Sequence, residues 1–322
     1  MNGAQETVKQ IKMKLMNNTT NVSTVIITHS GTNKSELKEC LESIREQKLR
    51  PDEVVLYFED STVLPDYECI LPSNISVITV EEHKQHSLSE ARQIAANAAT
   101  KEWLLFMDED VKLKQNCIRE LERNFSSDVF CIGGILKAFP DEKELVETIP
   151  WFFLWIQGIH TTDEFTDQMA SVFDRNPYGA LFVFDSEAFE KIDGFNTNLG
   201  KDAQNNGLLQ SEETDLCLRG DKRTKKEFKL VPSAVGFHHI DSTQTQPKYM
   251  IRRAFFQGMS KAIISKNTTQ ELTSESSVLL QILKYILYFK WIKEKSPFIK
   301  LFYSVVLTAS VGMGFMYEYY LK

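Results

Sequence analysis

Three consecutive acids, Asp108-Glu109-Asp110, close an apolar run made of Trp103, Leu104, Leu105, Phe106 and Met107. The run has the length and the abrupt ends of a strand buried in a parallel sheet. In open α/β sheets, ligands sit beyond the carboxyl ends of the strands. Asp108 and Asp110 are two apart, so in extended chain their side chains point the same way. Two carboxylates brought together are costly unless a cation neutralises them. Hard oxygen ligands of this kind suit Mg2+ or Mn2+, above all when substrate phosphates complete the shell. A solvated acidic turn after a strand would account for the same residues, so the elements around the triplet have to decide.

Those elements read as β-α-β-β-α-β. Residues 22–28 (VSTVIIT) form a β-branched strand, and 35–47 a helix with Leu37, Leu41 and Ile44 at helical spacing. Residues 53–58 are a second buried strand, ending in Glu59-Asp60, and 75–80 a third. Residues 87–100 are a helix capped by Ser87 or Ser89, with Ala91, Ile94, Ala95 and Ala98 inward. Short connections of this type predict an α/β fold with a mostly parallel, doubly wound sheet. No GxGxxG or GxxxxGK[ST] stands at a strand–helix junction, which counts against dinucleotide-binding dehydrogenases and P-loop enzymes.

Downstream, a helix is expected over 117–124, strands over 129–136, 176–185 and 230–237, a short helix over 186–192, and a helix starting at 212–218. Residues 140–169 are irregular and aromatic (Trp151, Phe152, Phe153, Trp155, Phe165), either a flap on the core or a wall of an acceptor or lipid site. From Lys248 the chain is mostly helical, interrupted by a polar linker at 268–277.

In this order, the motifs resemble those of the family-two glycosyltransferases of the GT-A fold, over about three quarters of the chain. The first strand resembles VSVIIPT, and Phe58-Glu59-Asp60-Ser61 resembles VDDGS. Ser87-Leu88-Ser89-Glu90-Ala91-Arg92 resembles GLSAARN, and Phe106-Met107-Asp108-Glu109-Asp110 resembles FLDADD. Tyr178-Gly179-Ala180 and Ile192-Asp193-Gly194-Phe195 resemble the acceptor-side region, and Ser211 to Arg219 (SEETDLCLR) resembles GEDxDLxLR. Phe237-His238-His239 resembles the late strand that ends in a histidine. There are departures: PTYN is here Thr28-His29-Ser30-Gly31, the first acid of VDDGS is Glu59, and an Asp of the ED motif is Glu213.

The resemblance implies a GT-A catalytic domain over 22–265, divided into a nucleotide-sugar half (22–110) and an acceptor half (111–265). A polar tail (1–21) and a helical extension (266–322) flank it. It implies donor contacts from Thr28, Ser30, Glu59, Asp60, Arg92 and Asp108, and a metal at Asp108 and Asp110. Glu109 between them would face away. Gly179 and Ala180 fall on the acceptor side, and Arg252 and Arg253 suit a phosphate of the donor or of a lipid acceptor. Glu213, at a helix start, is the expected general base, with Glu212 as its rival. Asp215 and Arg219 are i, i+4 and read as a helix salt bridge. Neighbouring strand side chains face opposite ways, so only one of His238 and His239 can enter the site, and His239 is the expected metal ligand.

The reaction expected is metal-dependent, inverting transfer of a sugar from a nucleoside-diphosphate sugar to an acceptor hydroxyl. Relatives with apolar tails build glycans on polyprenyl or dolichyl phosphates. A nucleotidylyltransferase is a rival, but it would want a basic glycine-rich loop after the first strand, and residues 29–33 lack one. A catalytically inactive scaffold of the same fold is the other rival, and the presence of all three key acids weighs against it. The net charge of −7 argues against general nucleic-acid binding. Five scattered cysteines without CxxC spacing indicate neither zinc nor a disulfide framework, which suits a reducing compartment. The first 22 residues lack the apolar core of a signal peptide. Residues 299–316 approach a minimal membrane span but carry Lys300 and several polar residues. Tyr285, Tyr288, Phe289 and Trp291 beside Lys284, Lys290 and Lys293 read as an interfacial amphipathic helix. The expectation is a cytoplasmic enzyme held at the inner face of the membrane by residues 278–322.

Overall fold

A computed structural model of the protein describes residues 19–59, 64–164, 176–200, 208–267 and 273–322. Eight strands form one sheet: β1 (Thr19–Ile27), β2 (Arg50–Phe58), β3 (Ser76–Glu81), β4 (Trp103–Asp108), β5 (Val111–Leu113), β6 (Val129–Ala138), β7 (Leu181–Asp185) and β8 (Glu227–His238). Their order is β3-β2-β1-β4-β7-β6-β8-β5.

The β3-β2-β1-β4 block is parallel, as expected from buried runs joined by helices. Beyond β4 the sheet is mixed. β7 runs antiparallel to both β4 and β6, β6 and β8 are parallel, and β5 is antiparallel to β8. Apolar runs give strand position but not direction. The sheet therefore departs from the simple parallel reading at the point where the acceptor half is threaded in.

Helices cover both faces. Leu37, Leu41 and Ile44 of α1 (Lys34–Arg45) pack with Ile26, Leu56 and Leu105. On the other face, Ala91 and Ala95 of α2 (Leu88–Ala98) meet an aromatic cluster in which Phe106 stacks on Phe182 at 4.9 Å. Ser87 is the cap of α2, in a reciprocal capping box with Glu90. Ser89 instead donates to the Leu199 carbonyl at 2.6 Å. Then come α3 (Cys117–Glu122), α4 (Ser186–Lys191), α5 (Glu212–Thr224), α6 (Pro247–Asn267), α7 (Thr273–Leu287) and α8 (Pro297–Met316).

Several bounds differ from the sequence reading. Thr19 and Thr20, expected in the tail, belong to β1, pairing with Arg50 and Pro51 before a register shift, and residues 1–18 lie outside the described residues. Residues 176–180 enter as a turn rather than as strand, and β7 starts at Leu181. The polar linker placed at 268–277 is helical from Thr273, and 268–272 lie outside the described residues.

The aromatic segment forms a 3-10 helix, Trp151–Gln157, that joins α6 to the C-terminal helices. Phe152, Phe153, Met250, Ala254, Ile282, Tyr285, Trp291 and Leu307 share one buried cluster. This differs from the interfacial amphipathic helix expected from Tyr285, Tyr288, Phe289 and Trp291. The helix stops at Leu287, and Tyr285 and Trp291 turn inward, while Tyr288 and Phe289 stay exposed. α8 lies against α6 at a glycine crossing. A Cβ on Gly258 would fall 2.0 Å from the Val311 carbonyl oxygen, and one on Gly314 would fall 1.9 Å from that of Phe255. Only glycine lets the two backbones approach this closely. Ser310 adds a hydrogen bond to the Ile251 carbonyl at 2.7 Å.

Candidate active site

The ends of β1, β2 and β4 open into one cavity of about 1350 Å3, which runs past α5 and α6 to the C-terminal helices. Strand pairing assembles its metal-binding corner. Leu181 of β7 pairs with Met107, and the Asp108 N–H donates to the Ala180 carbonyl at 3.3 Å. Val111 of β5 pairs with His238 of β8, and the His239 N–H donates to the Asp110 carbonyl at 3.2 Å. The turn between β4 and β5 therefore projects Asp108 and Asp110 at the end of β8. One ligand atom each from Asp108, Asp110 and His238 lie within 4.8 Å of one another.

The histidine of this group is His238, not His239. The β5–β8 register sends His238 inward, where its Nε2 stands 3.3 Å from Asp110. Its Nδ1 hydrogen donates to the Gln157 carbonyl at 3.0 Å, which leaves Nε2 as the atom facing the acids. Gly158, at φ +68, makes room for the ring, since a Cβ there would come within 2.7 Å of it. Burial opposes charge on His238, but Asp110 outweighs it and holds the imidazole up to about 9. His239 also lines the cavity but stands outside this group, stacked on Phe139 at 3.9 Å and held between Glu142 (2.8 Å) and Glu39 (3.1 Å). Two carboxylates and an imidazole fit Mn2+ or Mg2+, the nitrogen donor leaning toward the transition ion.

Glu109 points away from this corner. It accepts from Thr32 at 3.1 Å beside His29. Burial, then Asp110 and Asp108, push its carboxyl up to about 8.

Arg92 is not a surface residue. It is 3% exposed, and it donates to Asp108 and to Glu212, each at 2.7 Å, and to the Gly179 carbonyl at 2.9 Å. Burial works against its charge, but Asp108 and Glu212 keep it protonated. Gly179 lies against this guanidinium and Ala180 against the backbone of Asp108, so both support the site from the turn that leads into β7 while lining the cavity. The pair at the start of α5 is split by the same contact: Glu212 is held by Arg92, and Glu213 lines the cavity beside it. Burial first, and then Glu212, push the Glu213 carboxyl up to about 8. Asp215 and Arg219 form the expected intrahelical pair at 2.7 Å.

The remaining expected donor residues divide. Thr28 is buried at the cavity floor, its hydroxyl donating to the Tyr57 carbonyl at 3.0 Å. Glu59 lines the cavity and accepts from the His86 N–H at 2.8 Å and from the Tyr57 hydroxyl at 3.3 Å. Asp60 lies outside the described residues. Ser30 is exposed and does not line the cavity, where Gly31 and Thr32 stand instead. Arg252 and Arg253 both reach the lining. Arg252 sits 5.6 Å over the Phe256 ring, and Arg253 is buried and donates to the Tyr249 hydroxyl at 3.1 Å.

Sequence reasoning missed Gln157 and Gly158, which orient His238, because nothing in an irregular aromatic segment marks them. It also missed Lys261, a cavity residue whose α6 spacing from Arg253 was available as a clue.

The chain is 23% identical over 310 residues to the glucosyl-dolichyl phosphate glucuronosyltransferase of Haloferax volcanii, covering 92% of this chain and 95% of that one. Its fold is similar to that of the Pyrobaculum calidifontis mannosyltransferase PcManGT in complex with GDP-Man and Mn2+. There the TM-score is 0.57 at 14% identity, over 94% of this chain and 88% of the other. It is also similar to Staphylococcus aureus TarS residues 1–349, with a TM-score of 0.51 at 14% identity, over 93% and 81%. These likenesses carry the GT-A fold. The family model described as glycosyl transferase family 2 matches residues 23–192, just over half the chain and the part that holds β1, α2, β4 and β7, and on that match the protein belongs to glycosyl transferase family 2.

Proposed function

We propose that this transferase moves a sugar from a nucleoside-diphosphate sugar, with inversion, to a hydroxyl of a lipid-phosphate-linked acceptor at a membrane surface. One observation carries the reading: Asp108, Asp110 and His238 converge at the end of β4, while Glu213 faces the same cavity from the start of α5. Asp108, Asp110 and His238 would hold the divalent cation. When bound, that cation supplies Lewis-acid neutralisation of the diphosphate leaving group.

The chain's own groups do the rest. Thr28 and Glu59 lie at the strand ends where the nucleotide is expected, with Asp60 close by in sequence. Arg92 holds Asp108 and Glu212 in place. Its hydrogen bonds are made to protein, so we assign it a positioning role in place of the direct donor contact expected from the sequence. With Glu212 occupied by Arg92, Glu213 is the carboxylate left to take the proton from the acceptor hydroxyl as it attacks the anomeric carbon in line. Arg252 and Arg253 would meet a phosphate of the acceptor.

A lipid-linked acceptor is supported by the Haloferax relative, whose name specifies a glucosyl-dolichyl phosphate substrate. It is also supported by the apolar C-terminal extension, which includes a helix long and apolar enough to cross a membrane. The glycine crossing packs that helix on α6, so we place residues 278–322 on the membrane rather than through it, at the cytoplasmic face.

The test is a donor screen. Purified protein meets UDP-, GDP-, dTDP- and CMP-sugars with Mn2+, Mg2+ or EDTA, beside Asp110→Ala. Release of nucleoside diphosphate from one donor, lost with EDTA and in the variant, is the expected result. Failure of every nucleotide sugar to bind with either cation would overturn it.

A further inference from the structure

The cavity does not end at the catalytic acids. It continues between α6, α7 and α8, where its walls change character. α6 presents Arg253, Gln257 and Lys261 to it at four-residue spacing, one stripe along the helix. Facing that stripe are Ile282 of α7 and Thr308, Val311 and Phe315 of α8. Arg253 stands close enough to Glu213 to lower its pKa, and its own Nε is buried without a hydrogen-bond partner. The apolar end merges with an uncovered apolar face: Leu279, Phe302, Val305 and Met316 are each about half exposed. A channel that is cationic beside the catalytic base and apolar toward an exposed apolar face matches a molecule with a phosphate head and a hydrocarbon tail.

From this we infer that the groove between α6, α7 and α8 binds the isoprenoid chain of the acceptor lipid, with the lipid phosphate on Arg253 and Lys261. The inference rests on the lipid-linked acceptor proposed above and adds the part of the molecule that recognises the lipid. Gly312 marks the place. It lines the cavity, and a Cβ added there meets nothing within 4 Å. A side chain at 312 therefore meets no steric bar among the described residues and starts from the cavity lining. Unlike the glycines of the α6–α8 crossing, Gly312 is not required by packing.

The experiment measures binding of farnesyl phosphate, butyl phosphate and the Mn2+ complexes of GDP and UDP to the full-length protein and to Gly312→Phe. Farnesyl phosphate carries the chain, butyl phosphate the head group alone, and the nucleotides report an intact donor site. The expected result is a loss of about tenfold or more in farnesyl phosphate affinity, since several buried methylenes are displaced, with butyl phosphate and nucleotide binding unchanged. Gly312→Leu replaces the phenylalanine variant if that chain does not fold. Equal farnesyl phosphate affinity in variant and wild type would overturn the inference. So would a wild-type protein that binds nucleotide but not farnesyl phosphate, and in that case sugar transfer itself would stand. Absence of nucleotide binding with a retained, Gly312-sensitive farnesyl phosphate site would instead overturn the donor reading and leave the groove in place.

Discussion

Glu213 is the residue on which the proposed chemistry turns. Its carboxyl sits near 8 because burial and Glu212 both disfavour its charge. The base form is the ionised one, so the rate should climb with pH as that proton leaves and level off above it. Glu213→Gln should lower kcat by about 100- to 10,000-fold and flatten this rise. Glu212→Gln should do something else: removing the neighbouring negative charge lets Glu213 ionise more readily, so the rise moves to lower pH. A pH–rate profile of the three proteins separates these outcomes, and an unchanged profile in both variants would remove Glu213 from the mechanism. At this scale the sequence was informative where chemistry is local. Asp108 and Asp110 could be found because paired acids closing a buried apolar run stand out, whereas the Glu212–Glu213 pair, ordinary for a first helical turn, stood out only through its resemblance to GEDxDLxLR. His238 against His239 could not be decided, because alternation says that one of them faces in but not which one. The β5–β8 register settles that, through residues more than a hundred positions away. Arg92 was expected in the site as a donor contact, but its protein partners were not legible, because nothing local indicates that Asp108 and Glu212 arrive from distant segments to bury it.

Among the elements, β1, β2 and β4 were legible because each is a short apolar run bounded by turn-forming or acidic residues. The direction of β7 was not, since the same composition serves either pairing. The C-terminal helices show a further limit. Tyr285 and Trp291 look like interfacial anchors, yet they bury against the 3-10 helix at Trp151–Gln157, whose aromatic side chains supply partners from across the chain. The α6–α8 crossing offers a direct test. Gly314→Leu forces a side chain into the Phe255 carbonyl and should destabilise the docking of α8 by about 1–3 kcal/mol or more. The readout is a lower denaturant midpoint with faster proteolysis between α7 and α8. Gly312→Ala, two residues away, should be neutral or stabilising by up to about 1 kcal/mol, because helix-interior glycine is unfavourable. Equal behaviour of the two variants would contradict the crossing.

For the whole molecule, charge is divided. The chain carries −7 overall, yet residues 278–322 hold six lysines against two glutamates, beside the exposed Phe298, Ile299 and Phe302. Such a face should bind an anionic leaflet, each lysine near the surface contributing about 1 kcal/mol. In a flotation assay the protein should rise with vesicles containing phosphatidylserine. It should rise less with phosphatidylcholine alone or in high salt, and should mostly stay behind as Phe298→Asp/Phe302→Asp. Full recovery of the double variant with the vesicles would place attachment elsewhere. The catalytic end of the cavity has the opposite sign. Asp108, Glu109, Asp110, Glu212 and Glu213 all line it, and the buried Arg92 pairs with only two of them, Asp108 and Glu212. A bare nucleoside diphosphate would meet repulsion there. Donor affinity should therefore depend on a cation at Asp108, Asp110 and His238, whether that cation arrives with the nucleotide sugar or ahead of it.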